Sequence, residues 1–216
     1  VYSSFGARPQ IAQSITIRSE TKNGATLDGT YTAGDAFSLY KPLLDLEIYG
    51  INFRRFGNSA GNGVVTFLGD INNLRVMNCV FRENGNGVPV INDHTFYAAG
   101  GSTYATAPRN IKLMYNDIES NVANNGYALL HSYSNSGGFD IHDSEIAFNK
   151  VRGSGWQGAI ILEAGYTPGS PANLSIHDND IQITSDAGGV VYLYYDRGLG
   201  APNSGVDSTA VFNKNT

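Results

Sequence analysis

Residues 174–181 read Leu-Ser-Ile-His-Asp-Asn-Asp-Ile, and this eight-residue phrase decides the fold. Its first, third and eighth positions are apolar, and its sixth position holds an asparagine. Similar phrases occur four more times, with starts 28 to 37 residues apart, at 46–53, 74–81, 111–118 and 139–146. An imprecise repeat of this length is typical of a solenoid, in which similar units stack on one another.

A second element follows each phrase. It is a run of strand-forming residues that begins with a glycine. These runs begin at Gly63, Gly87, Gly126, Gly158 and Gly189. Alternating apolar and polar residues mark short strands, glycine, asparagine, aspartate and serine mark turns, and no helical period is present. The sequence therefore predicts an all-β fold, a right-handed parallel β-helix of about six rungs with three short strands in each, which forms one domain over residues 1–216.

The phrases also predict which side chains stack on one another. The first, third and eighth positions should point inward, because successive residues of a strand point to opposite faces. The eighth positions predict one inward column of Phe53, Phe81, Ile118, Ile146 and Ile181. The sixth positions predict a bend column of Ile51, Cys79, Asn116, Ser144 and Asn179, and a second bend column holds Asn84, Asn121 and Asn149. Buried asparagines at a bend can bond backbone groups that a turn leaves unpaired, so we interpret them as structural.

The composition excludes several classes of protein. The chain is 41% hydrophobic and 15% charged, which argues against disorder. A net charge of −5 lacks the basic footprint of a nucleic-acid-binding protein. No apolar run approaches the ~20 residues of a membrane-spanning helix. Cys79 is the single cysteine, so no disulfide framework is expected. The chain begins with Val1 rather than Met, so we expect a mature form or a fragment.

Residues 11–216 resemble the pectate-lyase-like superfamily of right-handed parallel β-helices. The resemblance rests on an opening of Ile15-Thr-Ile-Arg-Ser and Ala25-Thr-Leu-Asp-Gly. Phe81-Arg-Glu-Asn84 and Gly158-Ala-Ile-Ile161 are similar to the F-x-x-N and G-G-A-I phrases of bacterial surface and autotransporter-type β-helices. The resemblance implies an extracellular or cell-surface protein, of a kind that often meets polysaccharide. Neither the calcium-holding carboxylate cluster of such lyases nor the paired aspartates of polygalacturonase-type hydrolases is present, which counts against an enzyme.

One candidate catalytic pair nevertheless follows from aligning the glycine-led runs. The alignment gives an outward column of Leu68, Asn92, His131, Glu163 and Tyr194, and a second of Asp70, His94, Tyr133, Gly165 and Asp196. Neighbouring rungs lie about 4.8 Å apart, so His131 and Glu163 could form a hydrogen bond. A histidine beside a carboxylate could abstract a proton from a uronic acid. The alternative interpretation is a solvated strand face with ordinary polar residues.

Long connections at 93–109, 164–172 and 196–208 are rich in glycine and tyrosine. Variable loops on one edge of a rigid scaffold often bind ligands, and simple surface coverage is the alternative. Together with the outward columns they give these candidate substrate-binding residues: Asn92, Asp93, His94, Tyr97, Tyr104, Tyr133, Tyr166, Tyr194, Asp196 and Arg197.

His142 and His177 occupy the same position in two phrases, and each precedes an aspartate. Stacked imidazoles can bind a transition metal, but a closed site needs three or four ligands. We therefore expect neither a metal site nor another cofactor.

The two ends of the chain suggest how copies could assemble. Residues 210–216 repeat the phrase as far as its seventh position, with Ala210 and Phe212 in apolar slots and Asn215 at the bend. Val1 of a second copy would supply the missing eighth residue, so subunits could stack head to tail; a piece of a longer β-helix is the alternative. We expect an extracellular structural or adhesive module whose partner is itself or a surface polysaccharide. The alternative is a polysaccharide lyase, a hydrolase or a glycan-binding module that uses the face of the glycine-led strands.

Overall fold

The computed structural model is an all-β solenoid without a helix in the part of the chain that it describes. The described residues are 2–3, 14–30, 35–39, 45–57, 62–68, 71–85, 93–100, 108–120, 126–134, 141, 143–156, 158–164, 173–185, 191–195 and 210–213.

The strands, numbered in chain order, have the following bounds: β1 (Tyr2–Ser3), β2 (Ile15–Arg18), β3 (Ala25–Asp28), β4 (Phe37–Leu39), β5 (Leu46–Tyr49), β6 (Ile51–Arg54), β7 (Asn62–Leu68), β8 (Leu74–Met77), β9 (Val80–Arg82), β10 (Asp93–Gly100), β11 (Lys112–Met114), β12 (Asp117–Ser120), β13 (Tyr127–Ser134), β14 (Ser144–Ala147), β15 (Lys150–Trp156), β16 (Gly158–Ala164), β17 (Leu174–His177), β18 (Asp180–Ser185), β19 (Val191–Tyr195) and β20 (Ala210–Asn213).

These strands form three parallel sheets. Sheet 1 has the order β2-β5-β8-β11-β14-β17-β20, sheet 2 the order β1-β3-β6-β9-β12-β15-β18, and sheet 3 the order β4-β7-β10-β13-β16-β19. From β2 onward the chain visits sheets 1, 2 and 3 in fixed rotation, which confirms the predicted all-β parallel solenoid. The described strands do not match six uniform rungs, because sheets 1 and 2 hold seven strands and sheet 3 holds six.

The core lies between the three sheets and is built from stacked columns. In sheet 2 the register aligns Phe53, Phe81, Ile118, Val151 and Ile181. The rings of Phe53 and Phe81 stack with centroids 4.9 Å apart, which matches the spacing between strands. Both phenylalanines are fully buried, and each contributes about 1.5–3 kcal/mol of hydrophobic stabilisation.

The predicted phrase at 139–146 is wrong in register by five residues. Ser144 pairs with Leu174 and Ile146 pairs with Ile176, so the true copy is 144–151. Ile146 therefore belongs to the third-position column of sheet 1, and Val151 takes its predicted place beside Ile118. The error arose because this copy has a serine in the first apolar slot. The buried Ser144 hydroxyl instead accepts a hydrogen bond from Ile111 N at 3.0 Å.

The corrected register gives one continuous amide ladder at the bend, formed by Cys79, Asn116, Asn149 and Asn179. Backbone N–H groups of Cys79, Asn116 and Asn149 each donate to the side-chain Oδ1 of the asparagine in the next turn, at 3.1, 3.1 and 3.0 Å. The asparagine Nδ2 groups donate back to Val76 O, Leu113 O and Ile146 O. The structural interpretation of these asparagines is confirmed, although Asn149, and not Ser144, occupies the column.

The predicted second bend column is also corrected. Asn84 does bond the preceding turn, since its Oδ1 accepts from Phe56 N at 3.0 Å and its Nδ2 donates to Phe53 O at 3.3 Å. Asn149 belongs to the other ladder, and Asn121 lies outside the described residues.

Candidate functional site

The corner between sheets 1 and 2 places the fifth residue of each phrase in a left-handed backbone conformation. The φ values are 66° at Gly50, 54° at Asn78, 57° at Tyr115, 56° at Phe148 and 52° at Asp178. Glycine, asparagine and aspartate tolerate this conformation, whereas a bulky aromatic residue does so at a cost. Tyr115 and Phe148 therefore stand where the local backbone does not favour them.

The side chains of Tyr115 and Phe148 lie on the surface and stack on each other. Their ring centroids are 4.9 Å apart and their planes differ by 5°. Tyr115 is 50% exposed and Phe148 is 40% exposed. The His177 ring meets Phe148 edge to face, with centroids 5.4 Å apart. We call Tyr115, Phe148 and His177 the aromatic corner.

The contribution of the aromatic corner to the stability of the fold does not explain its presence. A non-glycine residue held in the left-handed region costs about 1–3 kcal/mol. An aromatic pair gains about 0.5–1.5 kcal/mol beyond burial, and these rings are only partly buried. Backbone strain of this kind clusters at functional sites, so the aromatic corner is a candidate site on the surface.

His177 connects the aromatic corner to two carboxylates. Its Nδ1 lies 2.8 Å from Asp178 Oδ2, and its Nε2 lies 3.2 Å from Glu145 Oε1. The hydrogen bond with Asp178 raises the pKa of His177, burial opposes this shift, and Glu145 adds to it. Lys112 Nζ lies 3.4 Å from the other oxygen of Glu145. Because both ring nitrogens are engaged, this arrangement favours a charged bridge between strands over proton abstraction.

The predicted stacking of His142 on His177 is wrong. The neighbours of His177 in sheet 1 are Ala147 and Asn213, as follows from the five-residue shift of the 144–151 phrase. His142 itself lies outside the described residues. Within the described ranges, no cluster of three or more His, Cys, Asp or Glu residues is arranged to hold a metal ion.

The predicted catalytic pair lies in sheet 3, where its register differs from the expectation. His131 pairs with Tyr97 on one side and with Ile161 on the other, whereas Glu163 pairs with Tyr194. Glu163 is thus displaced by two residues, which places the two Cα atoms about 8 Å apart instead of about 4.8 Å. One residue of this displacement arises because Tyr127, and not Gly126, pairs with Gly158. The other arises from an irregularity in β13, where the four residues from Tyr127 to Leu130 oppose three in β16.

Much of the outward face of sheet 3, on which these residues were predicted, is buried. In β4, β7, β10 and β13 the residues that alternate with the core are also buried: Ser38, Val64, Thr66, Thr95 and Leu129. His131 is half-buried, and its ring lies 5.4 Å from that of Tyr127. Over these strands the face is therefore not the solvated surface that we considered as the alternative.

The other predicted binding residues are distributed between strands and segments that lie outside the described residues. Asp93, His94 and Tyr97 lie in β10, which corrects the predicted loop at 93–109, and Tyr133 and Tyr194 lie in β13 and β19. The alternation Thr-Phe-Tyr-Ala at 95–98 is the strand signal that the glycine-based alignment passed over. The remaining predicted residues are outside the described part: Asn92, Tyr104, Tyr166, Asp196 and Arg197.

The sequence did contain a signal for the aromatic corner. The fifth position of the phrase holds Gly50, Asn78 and Asp178 in three copies, and Tyr115 in a fourth. An aromatic residue at a turn position that elsewhere carries glycine, asparagine or aspartate breaks the local pattern. Such a break is a marker of function because no rule of the fold requires it.

Searches against family models, curated proteins and solved structures find nothing that matches this chain. Over the ranges that the structure describes, no helix is long and apolar enough to cross a membrane.

Proposed function

We propose that this chain is a structural or adhesive module of an extracellular surface or fibre, in which copies stack head to tail along the solenoid axis. The observation that carries the proposal is Ile15. It occupies the same inward column of sheet 1 as Leu46, Leu74 and Leu174, which are all buried, yet Ile15 is 44% exposed. Among the strands that the structure describes, none covers the outer side of this inward-pointing residue.

The outermost described strands of sheets 1 and 2 are complementary. Among the described strands, β20 extends sheet 1 by one strand beyond the turn that contains β17, β18 and β19. In the same way, β1 extends sheet 2 by one strand beyond the turn that contains β2, β3 and β4. If β2 of a second copy pairs with β20, its β1 meets β18, and one turn is shared between the copies. Such a contact does not close on itself and therefore propagates as a filament.

The outer edge of sheet 3 also favours pairing with another chain. Among the residues that the structure describes, β19 is the outermost strand of this sheet. Its sequence, Val-Tyr-Leu-Tyr-Tyr, contains no charge and no proline. Natural proteins protect free edges with charged residues, proline or bulges, because unpaired strand edges invite association. β19 therefore lacks two of these protections, charged residues and proline.

The experiment compares the assembly of the wild type with that of two lysine variants of the same strand. Ile15→Lys places a charge on the open end of the core, whereas Thr16→Lys places the same charge on the exposed outer face of β2. Sedimentation velocity over a range of concentrations and negative-stain microscopy measure assembly. We expect filaments for the wild type and for Thr16→Lys, and a 23.1 kDa monomer for Ile15→Lys. A wild type that stays monomeric at every concentration, or equal assembly of both variants, contradicts the proposal.

Two further parts of the proposal rest on general arguments. The extracellular location is supported by the similarity of the repeat phrases to those of surface β-helices. The right-handed coil is supported by the strong preference of parallel crossover connections for that hand, which holds in about 98% of cases.

The alternative function is cleavage of an acidic polysaccharide on sheet 3. It is favoured by His131, which is half-buried on a face whose other described residues are largely buried. Incubation with uronic-acid polymers, followed by absorbance of the unsaturated product, tests lyase activity. If the face is catalytic, His131→Ala and Glu163→Gln each abolish turnover while the circular dichroism spectrum is unchanged.

A further inference from the structure

The sizes of the side chains along this corner of the solenoid imply a recess next to the aromatic corner, beside Tyr115. Tyr115 and Phe148 stack along the solenoid axis, so one face of the Tyr115 ring is covered by Phe148 and the opposite face looks toward the preceding turn. The corner residue of that turn is Asn78, and the corner residue of the turn before it is Gly50. The column thus changes abruptly from a large aromatic side chain to a small amide and then to no side chain.

The dimensions of the recess follow from the strand spacing. Gly50 and Tyr115 are two turns apart, which corresponds to about 9.6 Å. The far wall is the turn at 19–24, since Asn23 N donates to Gly50 O at 2.8 Å. A Cβ at residue 50 would lie 3.7 Å from Lys22 Cα and from Asn23 N, so this turn lies directly against Gly50. The recess is therefore bounded by the Tyr115 ring on one side, by the Asn78 amide at its base and by the polar turn at 19–24 on the far side.

Polar groups in the recess are ready to form hydrogen bonds. Asn78 is half-buried, and within the described structure its side-chain amide has no protein partner; only its backbone N–H is bonded, to Met114 O at 3.2 Å. The Tyr115 hydroxyl likewise has no partner within the described part of the chain. The nearest charged side chains of sheet 1 are already paired, Arg75 with Asp45 and Glu47, and Lys112 with Glu145. The turn at 19–24 adds one acid and one base, the exposed Glu20 and Lys22, whose formal charges cancel. The recess thus has no net charge and offers a neutral amide beside an exposed aromatic face.

We infer that this recess binds a neutral hexopyranose unit of a polysaccharide, with the sugar stacked on the free face of Tyr115 and hydrogen-bonded to the amide of Asn78. A pyranose ring with equatorial hydroxyls presents C–H groups on its faces and hydroxyls around its rim. The faces fit an aromatic ring, and the rim fits an amide that both donates and accepts. Tyr115 places a flat side chain, at a cost in backbone strain, where three other copies of the phrase supply glycine, asparagine or aspartate. The inference goes beyond head-to-tail stacking, because a single copy of the chain contains the whole recess.

The experiment is an NMR titration with cellohexaose, a neutral β-1,4-linked glucose oligomer. One stacked ring and a few hydrogen bonds should give weak binding, with a Kd of about 1 mM. We expect saturation transfer to the sugar C–H protons and shifts of the Asn78 side-chain amide and the Tyr115 ring. Tyr115→Phe keeps the aromatic face and loses only the hydroxyl, so its binding should fall by less than about tenfold.

The decisive variant is Tyr115→Asn, which restores the residue type that the same position carries at Asn78. Because asparagine tolerates the left-handed conformation, this variant should fold as well as the wild type, and its binding should fall more than tenfold. Asn78→Ala should weaken binding without changing the stacking of Tyr115 on Phe148. The inference is overturned if cellohexaose produces no shift at Tyr115 or Asn78, or if Tyr115→Asn binds as tightly as the wild type. Titration of the Ile15→Lys monomer separates this result from the outcome for stacking.

Discussion

Replacement of Asn149 by alanine tests whether the amide ladder holds the turns together. Asn149 is 1% exposed. Its Oδ1 accepts from Asn116 N at 3.1 Å and from Asn116 Nδ2 at 3.0 Å, and its Nδ2 donates to Leu113 O at 2.8 Å and to Asn179 Oδ1 at 2.9 Å. Asn116 Nδ2 keeps Val76 O as an acceptor, and Asn179 Oδ1 keeps the backbone N–H of residue 149.

Two buried groups therefore lose the amide partner that the ladder gives them, the N–H of Asn116 and the carbonyl of Leu113. Each such group costs about 1–3 kcal/mol, so Asn149→Ala should lower the free energy of unfolding by about 2–6 kcal/mol. This loss is a large fraction of the 5–15 kcal/mol that is typical of a whole domain. The milder Asn149→Ser keeps a hydroxyl in the column and provides a second variant if the alanine protein does not fold.

Urea denaturation followed by circular dichroism measures the change. Asn173→Ala is the matched control, because Asn173 is exposed and contributes its backbone carbonyl to Ser144 N at 2.9 Å. We expect this control to stay within about 0.5 kcal/mol of the wild type. If Asn149→Ala and Asn173→Ala differ by less than about 1 kcal/mol, the ladder does not hold the turns together and the argument fails.

Three more outcomes are expected from the same contacts. Cys79→Asn should fold and should be at least as stable as the wild type by urea denaturation. The reason is that Cys79 Sγ lies 3.7 Å from Ile48 O, in the position where Asn116 Nδ2 meets Val76 O. Burial raises the pKa of the Cys79 thiol to about 11, so the wild-type thiol should resist iodoacetamide at pH 8 unless the protein unfolds. The raised pKa of His177 means that its bridge stabilises the fold fully below the unfolded-state pKa of about 6.5 and that this stabilisation is lost as the pH rises through the folded-state value. The difference in melting temperature between the wild type and His177→Gln should therefore shrink from pH 6 to pH 9, and a constant difference would show that the charged bridge contributes nothing.

The sequence was sufficient for the parallel solenoid because sheet 1 obeys one simple pattern. Apolar residues at the first and third positions set the register of the phrases at 46, 74, 111 and 174, and also that of the last strand, where Ala210 and Phe212 pair with Leu174 and Ile176 as predicted. The pattern failed where Ser144 replaced an apolar residue. A serine can take an inward position only because a specific donor, Ile111 N, lies opposite it. Such a partner is not visible from one strand alone.

Sheet 3 was harder to predict for a different reason. Its strands follow connections of variable length, so the glycine that leads each run does not fix the register across the sheet. Tyr127, and not Gly126, pairs with Gly158, which shifts the predicted alignment by one residue, and the extra residue in β13 adds a second. A bulge of this kind leaves no mark in a pattern of alternating residues. The aromatic corner was missed because Tyr115 and Phe148 look like core residues by type. The left-handed backbone and the exposure of their rings identify them as a surface feature, and in the sequence only the break in the fifth-position pattern pointed to them.

The amide ladder also gives the solenoid a direction of growth. Every asparagine Oδ1 in the ladder serves a backbone N–H of the turn before it, so the bend at Cys79 is completed only when Asn116 arrives, and the bend at Asn116 only when Asn149 arrives. If the chain folds during synthesis, from its amino terminus onward, the newest turn always contains one bend whose backbone N–H still lacks its asparagine acceptor. Loss of a later turn would leave the backbone N–H of the bend before it without its acceptor, so fraying from the carboxy-terminal side should travel backward along the solenoid. Loss of an earlier turn would remove the carbonyl to which the next asparagine side chain donates, but the backbone N–H of that bend would stay bonded. Nearest-neighbour coupling of this kind makes a stack of weak units unfold as a zipper with one preferred starting end.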